Sequence, residues 1–149
     1  MLIEEQTWNR VATEEQRWLK AKLRVEEIIR ELGLKTTVRV TGSRHTCYRP
    51  QRVDGSGDLI QFGYLHGTAG KIYCEYQGKL VVFRWPLPST MTYGFINACI
   101  IIEEVAHAWN YAEGGKDHHQ GGFFRHFIRL WNKVNANNEL VRFCEEIWR

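Results

Sequence analysis

The sequence predicts an α+β fold in a single domain spanning residues 1–149. The order of elements carries this prediction: an amino-terminal helical stretch, a block of β-branched and turn-rich sequence, and then helical stretches to the end. A regular alternation of strands and helices, which would signal a parallel doubly wound sheet, is absent. Bulk composition agrees with a folded globular chain. Of the residues, 44% are apolar and 25% charged, and a chain of this length buries a core without disulfides.

The first helix is expected over residues 4–32. Trp8, Val11, Trp18, Leu19, Leu23 and Ile28 recur at helical spacing with Glu, Arg and Lys between them. Thr13 and Gln16 have the spacing of a capping box, which would split the stretch into two helices. Gly33 is placed to stop it. Residues 36–41 are rich in Thr and Val and read as a strand. Turn-forming GSR, RPQ and DGSGD follow. Further strands are expected at Leu59–Leu65, Lys71–Tyr76 and Leu80–Trp85, with Gln77-Gly78 turning the last two into a hairpin. The sheet is therefore small, antiparallel or mixed. Pro86 and Pro88 end the last strand, and Ser89 or Thr90 can cap the helix that runs to about Ala112. Gly114-Gly115 stops that helix. A polar loop, KDHHQGG, leads into a helix from about Phe123 to Val134. Asn135 to Asn138 break the chain before a last short helix.

Charge and cysteine usage narrow the function classes. A net charge of +3 is mild and does not by itself mark a nucleic-acid binder. Cys47, Cys74, Cys99 and Cys144 form no CxxC pair, so a zinc ribbon is not expected. Cys99 and Cys144 read as small buried apolar residues. The acidic start lacks the apolar core of a secretory signal, and the longest apolar run, near Ala98–Ile102, is too short to span a bilayer. These features lead to the expectation of a cytoplasmic, non-secreted protein with reduced thiols and no membrane association. Arg39, Arg44, Arg49 and Arg52, with His45 and Tyr48 between them, have the composition of a phosphate- and base-contacting stretch, although a solvated strand and loop explains them slightly better.

The chemistry lies in Glu103-Glu104-Val105-Ala106-His107. Residues four apart share one helix face, so Glu103 and His107 stand where the two histidines of HExxH hold zinc, and Glu104 falls on the general-base position. Glu103 oxygen is an acceptable zinc donor. The neighbouring Ile100, Ile101, Ile102, Val105 and Ala106 make the helix apolar nearly all round, hence buried. Carboxylates inside such a helix require a partner or a metal. A third protein ligand must come from elsewhere, and His118, His119 and His126 lie downstream beyond the helix stop.

Glu103 to His107, then Ala108-Trp109, a polar loop, and His118-His119 through Phe123 resemble the SprT-like (Spartan-like) zinc metalloprotease domain. The specific resemblance covers about residues 103–127, and the order of elements extends it loosely over the rest. It implies a zincin-like fold and zinc-dependent hydrolysis of peptide bonds. It places His119 on the third ligand and Phe123 on the aromatic residue that opens the next helix. Zn²⁺ would then be held by Glu103, His107 and His119, with Glu104 as base. His118 becomes an alternate or an outer residue, and His126 a backup ligand or a substrate-facing group. The family's substrates are proteins crosslinked to DNA, so a DNA-associated protein is the expected substrate. Two departures stand out: Glu103 replaces the first histidine, and Gln120 replaces the glycine that follows the third ligand. A carboxylate ligand lowers the net charge of the site and makes the metal a weaker Lewis acid than three histidines would. Two other readings follow from the same residues. One is a degenerate domain that keeps the fold and binds DNA or protein. The other is a structural zinc closed by a fourth ligand, His118 or His126.

Overall fold

A computed structural model describes residues 3–51, 55, 57–65, 70–116 and 119–149, with side chains described from Thr13 onward. Asp117 and His118 lie outside the described residues, as do Arg52 and His66. The architecture is α+β. Helix α1 spans Ile3–Glu31, and strands follow at β1 Thr37–Thr41, β2 Cys47–Arg49, β3 Leu59–Gly63, β4 Lys71–Tyr76 and β5 Lys79–Arg84. Helix α2 runs Tyr93–Ala112 and α3 Gly121–Val134. A 3-10 turn at Ala136–Asn138 leads into α4, Glu139–Ile147.

The strands form two small sheets. In the first, the order is β1-β3-β2, with β1 parallel and β2 antiparallel to β3. The second is the β4–β5 hairpin, closed by Gln77 and Gly78, both at positive φ. Two adjacent positive-φ residues give the turn geometry that matches the twist of the flanking strands. Strand β2 was not expected. Its three residues are too few to show alternation, and Pro50 and the surrounding turn formers mask it.

Helix α1 is continuous through Thr13 and Gln16, so the capping-box spacing does not divide it. Its core stripe is Trp18, Ala21, Val25, Ile28 and Ile29. Leu19 and Leu23, expected on that stripe, face solvent at 45% and 67% exposure. They sit one residue after Trp18 and two after Ala21, rotated off the buried face.

Helix α2 is the centre of the fold. It packs on α3, α4, β4 and β2, and its buried residues run from Gly94 to Asn110 on every face. Thr92, rather than Ser89 or Thr90, caps it: the Thr92 hydroxyl accepts the Phe95 N–H at 3.0 Å. Gly94 is required where α4 crosses, because a Cβ there would lie 2.5 Å from the Glu145 Cα. At the other end the Gly114 N–H donates to the Tyr111 carbonyl and the Gly115 N–H to the Asn110 carbonyl, the paired bonds of a Schellman stop. One apolar cluster joins α1, both sheets and the three later helices. Cys74, Cys99 and Cys144 belong to it; burial holds the Cys99 thiol well above its ordinary value and pushes Cys144 up to about 12. These are packing thiols, not nucleophiles. Among the described residues no helix is long and apolar enough to cross a membrane.

Candidate metal centre

Glu103 and His107 project from one face of α2, a turn apart. The connection between α2 and α3 returns His119 to the same point. The Nε2 atoms of His107 and His119 are 3.1 Å apart, His119 Nε2 is 3.3 Å from Glu103 Oε2, and His107 Nε2 is 3.9 Å from the same oxygen. Tetrahedral zinc with bonds of about 2.0–2.2 Å sets its donors about 3.3–3.6 Å apart. A triangle with the three observed sides has a point about 2.0 Å from every corner, within the bond lengths of zinc to nitrogen and oxygen. These three are also the only described residues whose donor atoms converge as a metal-binding group.

The local structure explains the convergence. His119 adopts φ +56°, a left-handed conformation that costs a non-glycine residue about 1–2 kcal/mol. Such cost persists only where surrounding contacts impose it. Here aromatic rings do so. The His119 ring stacks on Tyr73 of β4 at 5.2 Å and meets the edge of Phe123 at 5.1 Å. His107 stacks on the other side of the cluster, 4.2 Å from Phe123 and 6.3 Å from Tyr48. Phe123 is fully buried and so fixes both imidazoles at once.

Glu104 points inward and is 5% exposed. Its Oε2 has no hydrogen-bond partner among the described residues. Burial first, then the charge of Glu103 and a hydrogen bond to it, hold the Glu104 carboxyl well above the usual glutamate range. A buried carboxyl with an unused oxygen, next to a carboxylate that itself meets two imidazoles, is the donor chemistry that a divalent cation fits.

The other expected site residues separate. His126 does not reach the triad. Its Nδ1 is 2.7 Å from the Gly122 carbonyl and its Nε2 2.9 Å from Glu113 Oε2, so it is committed to the ends of the loop and cannot serve as a backup ligand there. The alternate His118 lies outside the described residues. Trp109 is half-buried, with the Arg129 guanidinium 4.4 Å over its ring. Tyr48 is turned toward the site rather than outward: its O–H donates to Asp58 Oδ2 at 2.8 Å, and Thr36 Oγ1 donates to the same oxygen. Burial and the Asp58 carboxylate push the Tyr48 phenol up, so it stays a neutral donor. Arg39, Arg44, His45 and Arg49 are exposed, and Arg39 bonds Gln61 at 3.0 Å.

Sequence reasoning missed Tyr48, Tyr73 and Glu113 as parts of this neighbourhood. Tyr73 alternates with apolar residues along β4 and carries no motif. Tyr48 was hidden in a basic stretch. Glu113 could have been found from its place directly after the helix that carries the candidate donors Glu103 and His107. The chain matches no protein-family model, no curated protein and no solved structure.

Proposed function

We propose that the chain is a zincin-like, SprT-like metalloprotease domain that binds Zn²⁺ through Glu103, His107 and His119 and hydrolyses peptide bonds in DNA-associated proteins. The observation that carries the reading is the meeting of three donor atoms from residues 103, 107 and 119 at zinc spacing, with the buried Glu104 carboxyl beside them. Zinc, when bound, supplies Lewis acidity for the peptide carbonyl and acidifies water.

The chain's own residues do the remaining work. Glu104 takes the proton of the attacking water on its carboxylate and returns it to the leaving amine nitrogen. That role needs Glu104 ionised. Burial first and then the Glu103 charge oppose ionisation; a cation held by Glu103 would offset the second of these. Phe123, Tyr73 and Tyr48 exclude water from the far sides of the imidazoles and hold their planes. Glu103 tunes the site: a carboxylate in the first position leaves one more negative charge than histidine would.

A test follows from that charge. Glu103→His should keep zinc and move the acid limb of the pH–activity profile to lower pH, because three neutral ligands leave a stronger Lewis acid. An unchanged limb would remove Glu103 from the set of ligands that govern the reaction. The reading as a whole is tested by incubating zinc-loaded protein with a DNA-binding protein, with and without single-stranded DNA, and mapping new amino termini by mass spectrometry. Cleavage that requires zinc and increases with DNA is expected. Zinc uptake without cleavage of any substrate, with DNA present, would replace this reading by a binding domain that has kept the fold.

A further inference from the structure

We infer that Glu113 and His126 form a clasp that sets the position of His119, so that they are positioning residues for the third metal ligand. The inference rests on the metal-site reading for its consequence, but the clasp itself consists of contacts within the chain. His119 lies in the connection between α2, which ends at Ala112, and α3, which begins at Gly121. Glu113 is the residue at which α2 stops, and His126 is in the second turn of α3. Their bond joins the two ends of the loop that carries His119.

The geometry of His126 is specific. Its side chain is 8% exposed. One ring nitrogen faces the Gly122 carbonyl at 2.7 Å and the other faces the Glu113 carboxylate at 2.9 Å. Both partners only accept, so each bond is made through a hydrogen on the ring nitrogen that faces it. The ring therefore ties the first turn of α3 to the end of α2. Arg129 adds a second link from α3: its Nη1 is 3.6 Å from the same Glu113 oxygen, and its guanidinium covers Trp109. Trp109 in turn meets the His126 ring edge-on at 5.2 Å. The hydrogen bond to His126, ahead of the nearby charges, holds the Glu113 carboxyl below the usual glutamate range.

The base of the loop is fixed from the other side by Gly115. Its N–H donates to the Asn110 carbonyl, and a Cβ on it would lie 2.2 Å from Asn110 Oδ1. These contacts flank His119, whose backbone is left-handed and whose Nε2 lies 3.1 Å from His107 Nε2. Fixing a ligand before binding removes an ordering cost that would otherwise be charged against affinity. An exposed ion pair alone would contribute little; the clasp matters because His126 is buried and bridges two elements.

Four variants test this: His126→Leu, His126→Asn, His126→Gln and Glu113→Gln. The readouts are zinc affinity, by competition with a chromophoric chelator, and amide exchange of Gly115, His119 and Gln120 in metal-free protein, measured against amides in the middle of α2. His126→Leu should weaken zinc binding about tenfold and speed exchange in the loop while the α2 amides keep their protection. Gln at 126 places its amide nitrogen toward Glu113 and should recover most of the loss; Asn reaches only toward Gly122 and should not. Equal loss in the Gln, Asn and Leu variants, or loop exchange unchanged in His126→Leu and Glu113→Gln, overturns the clasp. If the parent takes up no zinc, the metal-site reading fails, and the exchange measurement still decides the clasp: faster loop exchange supports it and unchanged exchange rejects it.

Discussion

Glu104→Gln should lower the rate of peptide hydrolysis by about 10²–10⁴, the range that removal of a general base produces, while leaving zinc stoichiometry as it is in the parent. Glutamine keeps the volume and one acceptor but cannot take a proton. The same substitution should stabilise the metal-free protein, and the pH dependence of that gain follows from linkage. The folded state holds the Glu104 proton more tightly than the unfolded chain does, because burial and the neighbouring Glu103 oppose ionisation. Stability from this group is therefore fully present below the ordinary glutamate range and falls as pH rises toward the elevated native value. Metal-free Glu104→Gln should melt above the parent at about pH 7.5 and coincide with it near pH 4. A variant that hydrolyses peptides at the parent's rate, or that melts below the parent at neutral pH, would remove Glu104 from its assigned role.

Phe123→Ala should cost about 3–5 kcal/mol of folding stability, as large-to-small changes at fully buried aromatic positions do, and should damage the site as well. Phe123 has no exposed surface. It stacks on His107 at 4.2 Å and lies perpendicular to the His119 ring at 5.1 Å, and it also touches Tyr73 and Phe127. Alanine there leaves a cavity directly behind two of the three candidate donors, His107 and His119. Urea unfolding and zinc affinity should both report the loss. Phe123→Leu, which fills much of the volume without a flat face, should recover part of the stability and less of the affinity. A stability change under about 1 kcal/mol would mean that the ring is not the support it forms here.

Much of this arrangement was legible in the sequence, and what was legible had a repeating physical signal. The helix α2 and its carboxy-terminal stop follow from the apolar residues around Glu103 and from Gly114-Gly115, whereas its cap is Thr92 and not the expected Ser89 or Thr90; the β4–β5 hairpin follows from Gln77-Gly78 between two β-rich runs. Spacing alone put Glu103, Glu104 and His107 on one helix in the right order. The features that were not legible depend on contacts between distant residues. β2 is too short to alternate. Leu19 and Leu23 fit a helical pattern yet lie off the buried stripe, since the stripe is set by what α1 packs against. His126 was placed near the metal by its distance along the chain from His119, whereas the turn at Gly114 and the start of α3 at Gly121 direct it to Glu113. The choice of His119 as third donor came from the family resemblance and not from the spacing of the histidines.

The central claim is that Glu103, His107 and His119 together hold one metal ion. The most direct test is elemental analysis of untagged protein, reconstituted with zinc and dialysed, for the parent and for Glu103→Ala, His107→Ala and His119→Ala. One zinc per chain in the parent, lost or greatly weakened in each of the three variants whose folding is intact by circular dichroism, is the predicted result. A parent that takes up no zinc, or a Glu103→Ala or His119→Ala variant that binds it as tightly as the parent, would contradict the account.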